Sequence, residues 1–543
     1  MAKRRILVIG LDGFELSLAE TFLTDGVLPA LATIRQRSAR CLLDHGNAKR
    51  SGLAWEHFST GLSPVDANRF SAVTFDPDTY SVWQDGTSMA PFVAQLPIRT
   101  VVFDPPYFDL VRAEATRGIV GWGAHDPGIS AASNPRELWS EIEARFGPYP
   151  AGEWIYGSSW PCAEKTRVMA ARLVEGVEAR GRAAQWLLAE RLADWDLAIV
   201  VVSELHSGIE ALWHGVDPSH PLHHLPSAKP AGAGLKTLYQ AVDKLVGTLV
   251  NSFPDALVVV FAAHGMGPND ADLPSMLLLP ELLYRDSFAR KLLREPTSWT
   301  STKNGLAMLA ADEPWNQAVA HAFEGGHSLF MARSTISRLR RKWRALRRKV
   351  AATAAIRHRI GPNHRVDLDW MPATAYRPYW RGMSAFALPS FYDGRVRINL
   401  AGRERHGRVP PMRYKAICDE IEDLIRACRD TRTGKSVVAR VERPARCDPL
   451  RLGPTNADLI VDWESAPTGF DHPSIGRIGP VPYRRTGGHS GKYGFAYIAG
   501  EDVIPGDLGI RSTFDVVPTV IDLLGISSPP RLSGASYLQE FVR

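Results

Sequence analysis

A chain of 543 residues with 45% hydrophobic and 22% charged residues is long and apolar enough to bury one large α/β domain plus a sizeable insertion or second lobe. Its formal charge of +6 does not mark a nucleic-acid binder, because much of the excess lies between Arg333 and Arg365, a segment without an acidic residue. No stretch reaches the ~18 apolar residues of a membrane helix, which argues against a spanning protein. The five cysteines, Cys41, Cys162, Cys418, Cys428 and Cys447, are too scattered for a CxxC metal site or a disulfide framework, so reduced thiols are expected.

The opening MAKRRILVIGLDG has the charge of a signal peptide, but Asp12 interrupts its apolar run too early, and it reads as the first strand of a cytoplasmic protein. Two further apolar runs also end in residues able to bind metal or protons: LAIVVV before Glu204 and His206, and ALVVVF before His264. Continuous apolar strands belong to sheets covered on both faces, where ligands gather at the carboxyl ends. Helical patterns from Arg167 to Leu192 and from Leu235 to Leu249 alternate with these strands. The expected fold is therefore a doubly wound, mostly parallel α/β sheet sandwiched by helices. The segment MARSTISRLRRKWRALRRKVAATAAIRHR reads as a basic helical insertion. Ile336, Leu339, Trp343, Leu346 and Val350 lie opposite its arginines, and it is either a solvated helix or a contact for an anionic substrate or surface. The expected division is a catalytic core over 1–325, the insertion over 326–375, and the rest of the core with a C-terminal lobe over 376–543.

Asp12, between a strand and Gly13, is placed either to meet a cation or to cap the next helix. Ser51 precedes an apparent helix start in RSGLAWEHFSTGLSP. It is an N-cap, or a hydroxyl facing a phosphoryl group held by free backbone N–H groups. Lys49 and Arg50 just before it offer charge for a phosphate, or are ordinary surface residues. In SELHSGIEALWH, the spacing puts His206, Glu210 and His214 on one helical face next to Glu204. Imidazole and carboxylate together suit zinc, or manganese, better than calcium, while the same spacing also fits a solvated face. His264 in FAAHGMGP and His489 in RRTGGHSGKYGFAYIAG each stand beside glycines at a strand end.

The order of these motifs resembles the type I phosphodiesterase and nucleotide pyrophosphatase branch of the alkaline phosphatase superfamily. The resemblance rests on IGLDG, SGLAW with STGLSP, WDLAIVVVSE with WHGVDPSHP, VVFAAHGMGP, RINLAGRE, GGHSGKYGFAYIAG and FDVVPTVIDLLGI. It is thin around residues 80 to 160 and in the basic insertion. It implies an alkaline phosphatase-like fold, two divalent metals, and a serine or threonine that becomes covalently phosphorylated, here Ser51, four residues before Trp55. Carried over, Asp12, Ser51 and His264 serve one metal, and His489 with two ligands from the Glu204 to Glu210 stretch serves the other. Trp55 and His214 fall beside the substrate. The chain departs from the pattern where His206 and Glu210 replace Asp and His, and where Ala263 replaces the Asp before His264. That site has therefore lost a ligand and binds its ion weakly, unless Glu204 turns inward to replace the carboxylate, so one or two divalent metals are expected. The resemblance implies a phosphate ester hydrolase acting on a small-molecule substrate, a phosphodiester before a phosphomonoester. The altered metal site leaves room for phosphoryl or sulfuryl transfer to a non-water acceptor, or for a catalytically weak binding protein.

Overall fold

A computed structural model describes residues 5–125, 128–156, 160–296, 299–301, 305–310, 313–323, 365–444, 448–452, 455–527 and 531–542. Most of the basic insertion expected over 326–375, including Arg333 and Trp343, lies outside them. The chain divides into two compact units. The first comprises Met1–Phe70, Gly86–Asn269 and Arg485–Arg543, and the second Ser71–Asp85 and Asp270–Arg484.

The first unit is built on a nine-stranded sheet. Its strands are β1 (Arg5–Leu11), β2 (Ala39–Asp44), β3 (Thr100–Phe103), β4 (Arg117–Val120), β5 (Ala132–Asn134), β6 (Leu197–Val202), β7 (Ala256–Ala262), β8 (Tyr493–Ala499) and β9 (Gly506–Ser512). In space they run β9-β2-β8-β7-β1-β6-β3-β4-β5. β1 pairs in parallel with both β6 and β7, and β3 with both β6 and β4. β8 and β5 run antiparallel to their neighbours, so the sheet is mostly parallel.

The helices of this unit include α1 (Leu16–Thr24), α2 (Pro29–Gln36), α3 (Ala54–Thr60), α4 (Leu138–Phe146), α5 (Ala163–Trp186), α6 (Glu204–Leu212) and α7 (Ala228–Ser252). α7 extends the helix expected over Leu235–Leu249 at both ends, while α5 starts before the expected Arg167 and gives way to a π turn at Leu187–Arg191.

The central strands are apolar throughout because both faces are covered. Leu7, Ile9 and Leu11 of β1 share one core with Val200 of β6, Val260 of β7, Leu173 of α5 and Val246 of α7. On the opposite face Gly10 and Phe261, paired in register, meet α3. The Phe58 and Phe261 rings lie 4.7 Å apart there, and a side chain at Gly10 would strike the Trp55 ring. The three strands β1, β6 and β7 end at the same edge, each followed by a candidate site residue.

The second unit contains a four-stranded antiparallel sheet ordered Ala385–Leu388, Gly394–Ile398, Leu459–Trp463, Val438–Glu442. Buried charges tie it together. Arg397 and Arg403 both face the Glu404 carboxylate, and Arg403 also donates to Asp458 at 2.7 Å. Phe75, Tyr80, Trp380 and Phe386 pack as an aromatic cluster beside it.

Candidate active site

All the candidate site residues fall in the first unit. β1 delivers Asp12, whose N–H continues the strand pairing by donating to the Val202 carbonyl at 2.9 Å. Gly13 follows with φ +74°, and a Cβ there would lie 2.3 Å from the Cα of His206. Only glycine allows the turns after β1 and β6 to touch so closely. That contact brings the first turn of α6 onto Asp12. His206 Nδ1 lies 3.0 Å from Asp12 Oδ2.

The other ring nitrogen of His206, Nε2, lies 3.0 Å from His489 Nε2 and 3.3 Å from Glu210 Oε1, one helical turn along α6. Donor atoms about 2.0–2.1 Å from a tetrahedral ion are separated by about 3.3 Å, so these spacings match a metal's donor set. His206, Glu210 and His489 form one such group, and Asp12, His125 and His206 form another, each with its donor atoms within 4.8 Å of one another. Asp12, His125, His206 and Glu210 are all buried. Three imidazoles and two carboxylates suit a divalent ion of borderline softness.

Electrostatics keep the site poised for a cation. Burial alone would raise the Asp12 carboxyl, but His206, His125 and a hydrogen bond from the Trp55 indole outweigh it and hold Asp12 below its usual range. Burial pushes His264 down to about 4 and His489 well below an ordinary histidine, and the surrounding positive charges add to it. Both are therefore neutral donors. Arg485 pairs with Glu210 at the rim of the group.

His264 follows β7 with Nδ1 2.9 Å from the Gly265 carbonyl. Its ring stands 5.0 Å from that of His489 and 6.1 Å from that of His45, so it adjoins the donor groups without entering either of them. Ala263, at the end of β7, is buried and its carbonyl accepts from Thr513.

Ser51 closes a 3₁₀ turn, Gly46–Ser51, ahead of Gly52 at φ +72°. The helix starts later than the sequence suggests. α3 begins only at Ala54, and Leu53 at its N-cap makes no side-chain cap. The Ser51 hydroxyl donates to the Ala48 carbonyl at 2.8 Å and accepts from the Leu53 N–H at 3.2 Å. His57 Nε2 stands 3.5 Å from the same oxygen, and His57 Nδ1 faces His45 Nε2 at 2.9 Å. Lys49 donates to the Gly491 carbonyl at 2.8 Å, and Arg50 is half-buried on the same turn.

Three residues expected to meet metal or substrate are held in contacts with other side chains. Glu204 is fully buried with both carboxylate oxygens about the Arg180 Nε, at 3.0 and 3.1 Å. In place of a metal contact it has an ion pair, because the first residue of α6 points beneath the sheet edge toward α5. His214 is likewise buried, between Thr486 at 3.3 Å and Ser227 at 3.1 Å. Trp55 packs between Gly10, Phe58 and Phe261, and its indole donates to Asp12. Glu204→Gln is accordingly expected to leave metal content unchanged while lowering stability. A loss of one bound ion in elemental analysis would return Glu204 to the metal.

Sequence reasoning missed His45, His57, His125 and Arg485. His125 carried the same signal as the others, since GIVGWGAH is an apolar strand closed by a histidine, but it sits where the family resemblance is thinnest.

Burial also holds His57 and His214 down to about 3, helped by Arg69 and by His220 with His223 respectively. The unfolded chain takes up these protons near 6.5 and the folded chain only near 3. Between those values the unfolded state binds more protons, so stability falls as pH falls. Each histidine is expected to remove on the order of 2 kcal/mol by pH 5. Urea unfolding of chelator-treated protein measures this, and a midpoint that does not fall with acidification would contradict it.

A family model described as type I phosphodiesterase / nucleotide pyrophosphatase matches residues 6–322, more than half of the chain. The chain belongs to that family. This phosphodiesterase-family member is therefore a phosphoric ester hydrolase of the alkaline phosphatase superfamily, whose members are metalloenzymes. Among solved structures, phosphonoacetate hydrolase from Sinorhizobium meliloti 1021 in complex with phosphonoformate aligns at 12% identity with a TM-score of 0.47. The same protein in complex with phosphonoacetate aligns at 12% identity with a TM-score of 0.46. Both alignments cover 94% of each chain. No curated relative matches the chain. Among the described residues no helix is long and apolar enough to cross a membrane.

Proposed function

We propose that this chain is a metal-dependent hydrolase of small-molecule phosphate esters, phosphodiesters before phosphomonoesters, with Ser51 as nucleophile and a covalent phosphoseryl intermediate. The observation that carries the reading is the convergence of His206, Glu210 and His489 at tetrahedral-edge spacings, in a family of phosphodiesterases. Zinc fits these nitrogen and carboxylate donors best, with manganese second. When bound, a divalent ion supplies Lewis-acid stabilisation of the charge that develops on the nucleophile and on the phosphoryl oxygens.

The chain's own residues do the rest. The Ala48 carbonyl and the Leu53 N–H fix the Ser51 hydroxyl in one rotamer, so attack needs little reorganisation of the side chain. Lys49 and Arg50, on the turn that ends in Ser51, bring positive charge to a phosphate in front of it. Asp12 holds the His206 ring through Nδ1, which directs Nε2 toward Glu210 and His489. His264 stands next in the line of imidazoles and is the remaining donor for a second ion with Asp12 and Ser51. The described cysteines, Cys41, Cys162, Cys418 and Cys428, are free thiols, which supports a reducing, cytoplasmic setting.

The deciding experiment strips the protein of metal, restores zinc, manganese, magnesium or calcium singly, and assays matched phosphodiester, phosphomonoester and sulfate ester substrates. Zinc- or manganese-restored cleavage, fastest on the diester, is expected. Preference for the sulfate ester would replace the substrate class, transfer to an added alcohol in preference to water would make the chain a transferase, and no activity with any metal would leave a binding protein.

A further inference from the structure

We infer that His125 is a metal ligand of this site, a donor from the loop after β4 that joins Asp12 where position 263 offers only an alanine. The inference rests on the metal-dependent reading above. It starts from placement. β4 lies two strands from β6 and ends at the same edge, and the chain beyond it carries His125 back over α6. The His125 ring stacks on that of His206, with centroids 3.7 Å apart and planes 21° apart. Two imidazoles held nearly parallel in this way present their ring-edge nitrogens side by side.

Carboxylates lie along those edges. His125 joins Asp12 and His206 in a group whose donor atoms all fall within 4.8 Å, and its Nε2 stands 3.5 Å from Glu210 Oε2. That distance is closer to the ~3.3 Å edge of a donor tetrahedron than to the ~2.9 Å of an N–H···O hydrogen bond. His125 is 2% exposed. An imidazole so buried beside two carboxylates gains most when all of them face a common cation, since neutral nitrogen and anionic oxygen then share one partner.

His206 is the hinge of the arrangement. Its Nδ1 faces Asp12 in the group containing His125, and its Nε2 faces Glu210 and His489 in the other. β7, the strand beside β1, is followed by Ala263, whose methyl offers nothing to a cation. His125 thus restores a donor to Asp12 from a different strand, with a neutral ligand in place of a charged one, which makes the Asp12 group one negative charge poorer. A less anionic donor set binds zinc or cobalt through nitrogen and discriminates against magnesium and calcium.

The test replaces His125 by phenylalanine, which keeps the stack and the volume but has no nitrogen, and by alanine as a second variant. Metal content is measured by elemental analysis, zinc affinity by chelator competition, and coordination by the visible absorption of cobalt-substituted protein. Wild type is expected to hold zinc, and each folded variant to bind it about a hundredfold more weakly or to lose one ion, with a changed cobalt spectrum. Wild-type stoichiometry, affinity and cobalt spectrum in His125→Phe would overturn the inference while leaving the metal-dependent reading standing. Wild-type protein that binds no zinc or cobalt would remove both. If His125→Ala does not fold, the phenylalanine variant decides alone.

Discussion

Ser51→Ala is expected to lower turnover on the proposed phosphodiester substrate by about a thousandfold or more, because the variant has no oxygen to attack phosphorus. The structural cost should be small. The hydroxyl makes two hydrogen bonds, to the Ala48 carbonyl and from the Leu53 N–H, and losing them costs about 1–2 kcal/mol. Neither closes an element of the sheet. Metal content is expected to fall by no more than one ion, because His206, Glu210 and His489 remain in place. Acid quenching of wild type during turnover, followed by intact-mass measurement, should reveal a phosphate adduct that the variant lacks. A variant that keeps most of its activity would remove Ser51 as nucleophile, and an adduct on another residue would name its replacement.

The fold was legible wherever hydrophobic pattern dominates. ILVIGL, LAIVVV and ALVVVFA have no polar interruption, and each is a central strand of one sheet, buried on both faces. α5 was legible from its Ala, Leu and Arg content, and α7 from apolar residues recurring at three and four between Leu235 and Leu249. The helix expected to be capped by Ser51 is capped two residues later, at Leu53. Gly52 adopts a positive φ that ends one turn before the next begins, and a sequence pattern does not distinguish a serine that caps a helix from one that closes a 3₁₀ turn.

The site divided along a similar line. Asp12, His206, Glu210 and His489 were legible because each directly flanks a strand or repeats at helical spacing, and the structure brings them together. Glu204 was not, because the direction of its side chain depends on a partner 24 residues earlier on another element, Arg180, which local spacing does not reveal. His214 carried the same difficulty, since its partners Thr486 and Ser227 lie on other elements. RINLAGRE illustrates the converse. Its charges look catalytic in sequence, and in the second unit they form a buried lattice in which Arg397 and Arg403 share Glu404. The stretch holding His125 carries the strand pattern but lies where the family resemblance is thinnest.

Replacing Arg180 with methionine is expected to be the most damaging single substitution for stability in the first unit. The guanidinium is fully buried, with Nη1 2.8 Å from Asp104 Oδ2 and Nε between both oxygens of Glu204. Burial alone would lower its pKa, but Glu204 and Asp104 more than offset this, so it is held charged. The aromatic faces of Phe103, Trp122 and Tyr149 surround it within 6 Å. Methionine fills much of the space and leaves two carboxylates without their cation. Asp104 keeps the Trp122 and Gly123 N–H groups, and Glu204 keeps the Ser203 N–H, yet none of these neutralises a charge. Removing one partner of a buried ionic group typically costs about 3–5 kcal/mol, a large share of the roughly 5–15 kcal/mol that a domain possesses. Adding Glu204→Gln removes one of the stranded charges, so the double variant should be more stable than Arg180→Met alone, an interaction of about 1–3 kcal/mol of opposite sign to the single losses. Urea unfolding of wild type, both single variants and the double measures that coupling. If Arg180→Met unfolds within about 1 kcal/mol of wild type, the triad is not what anchors α6 beneath Asp12, and Glu204 must owe its position to something else.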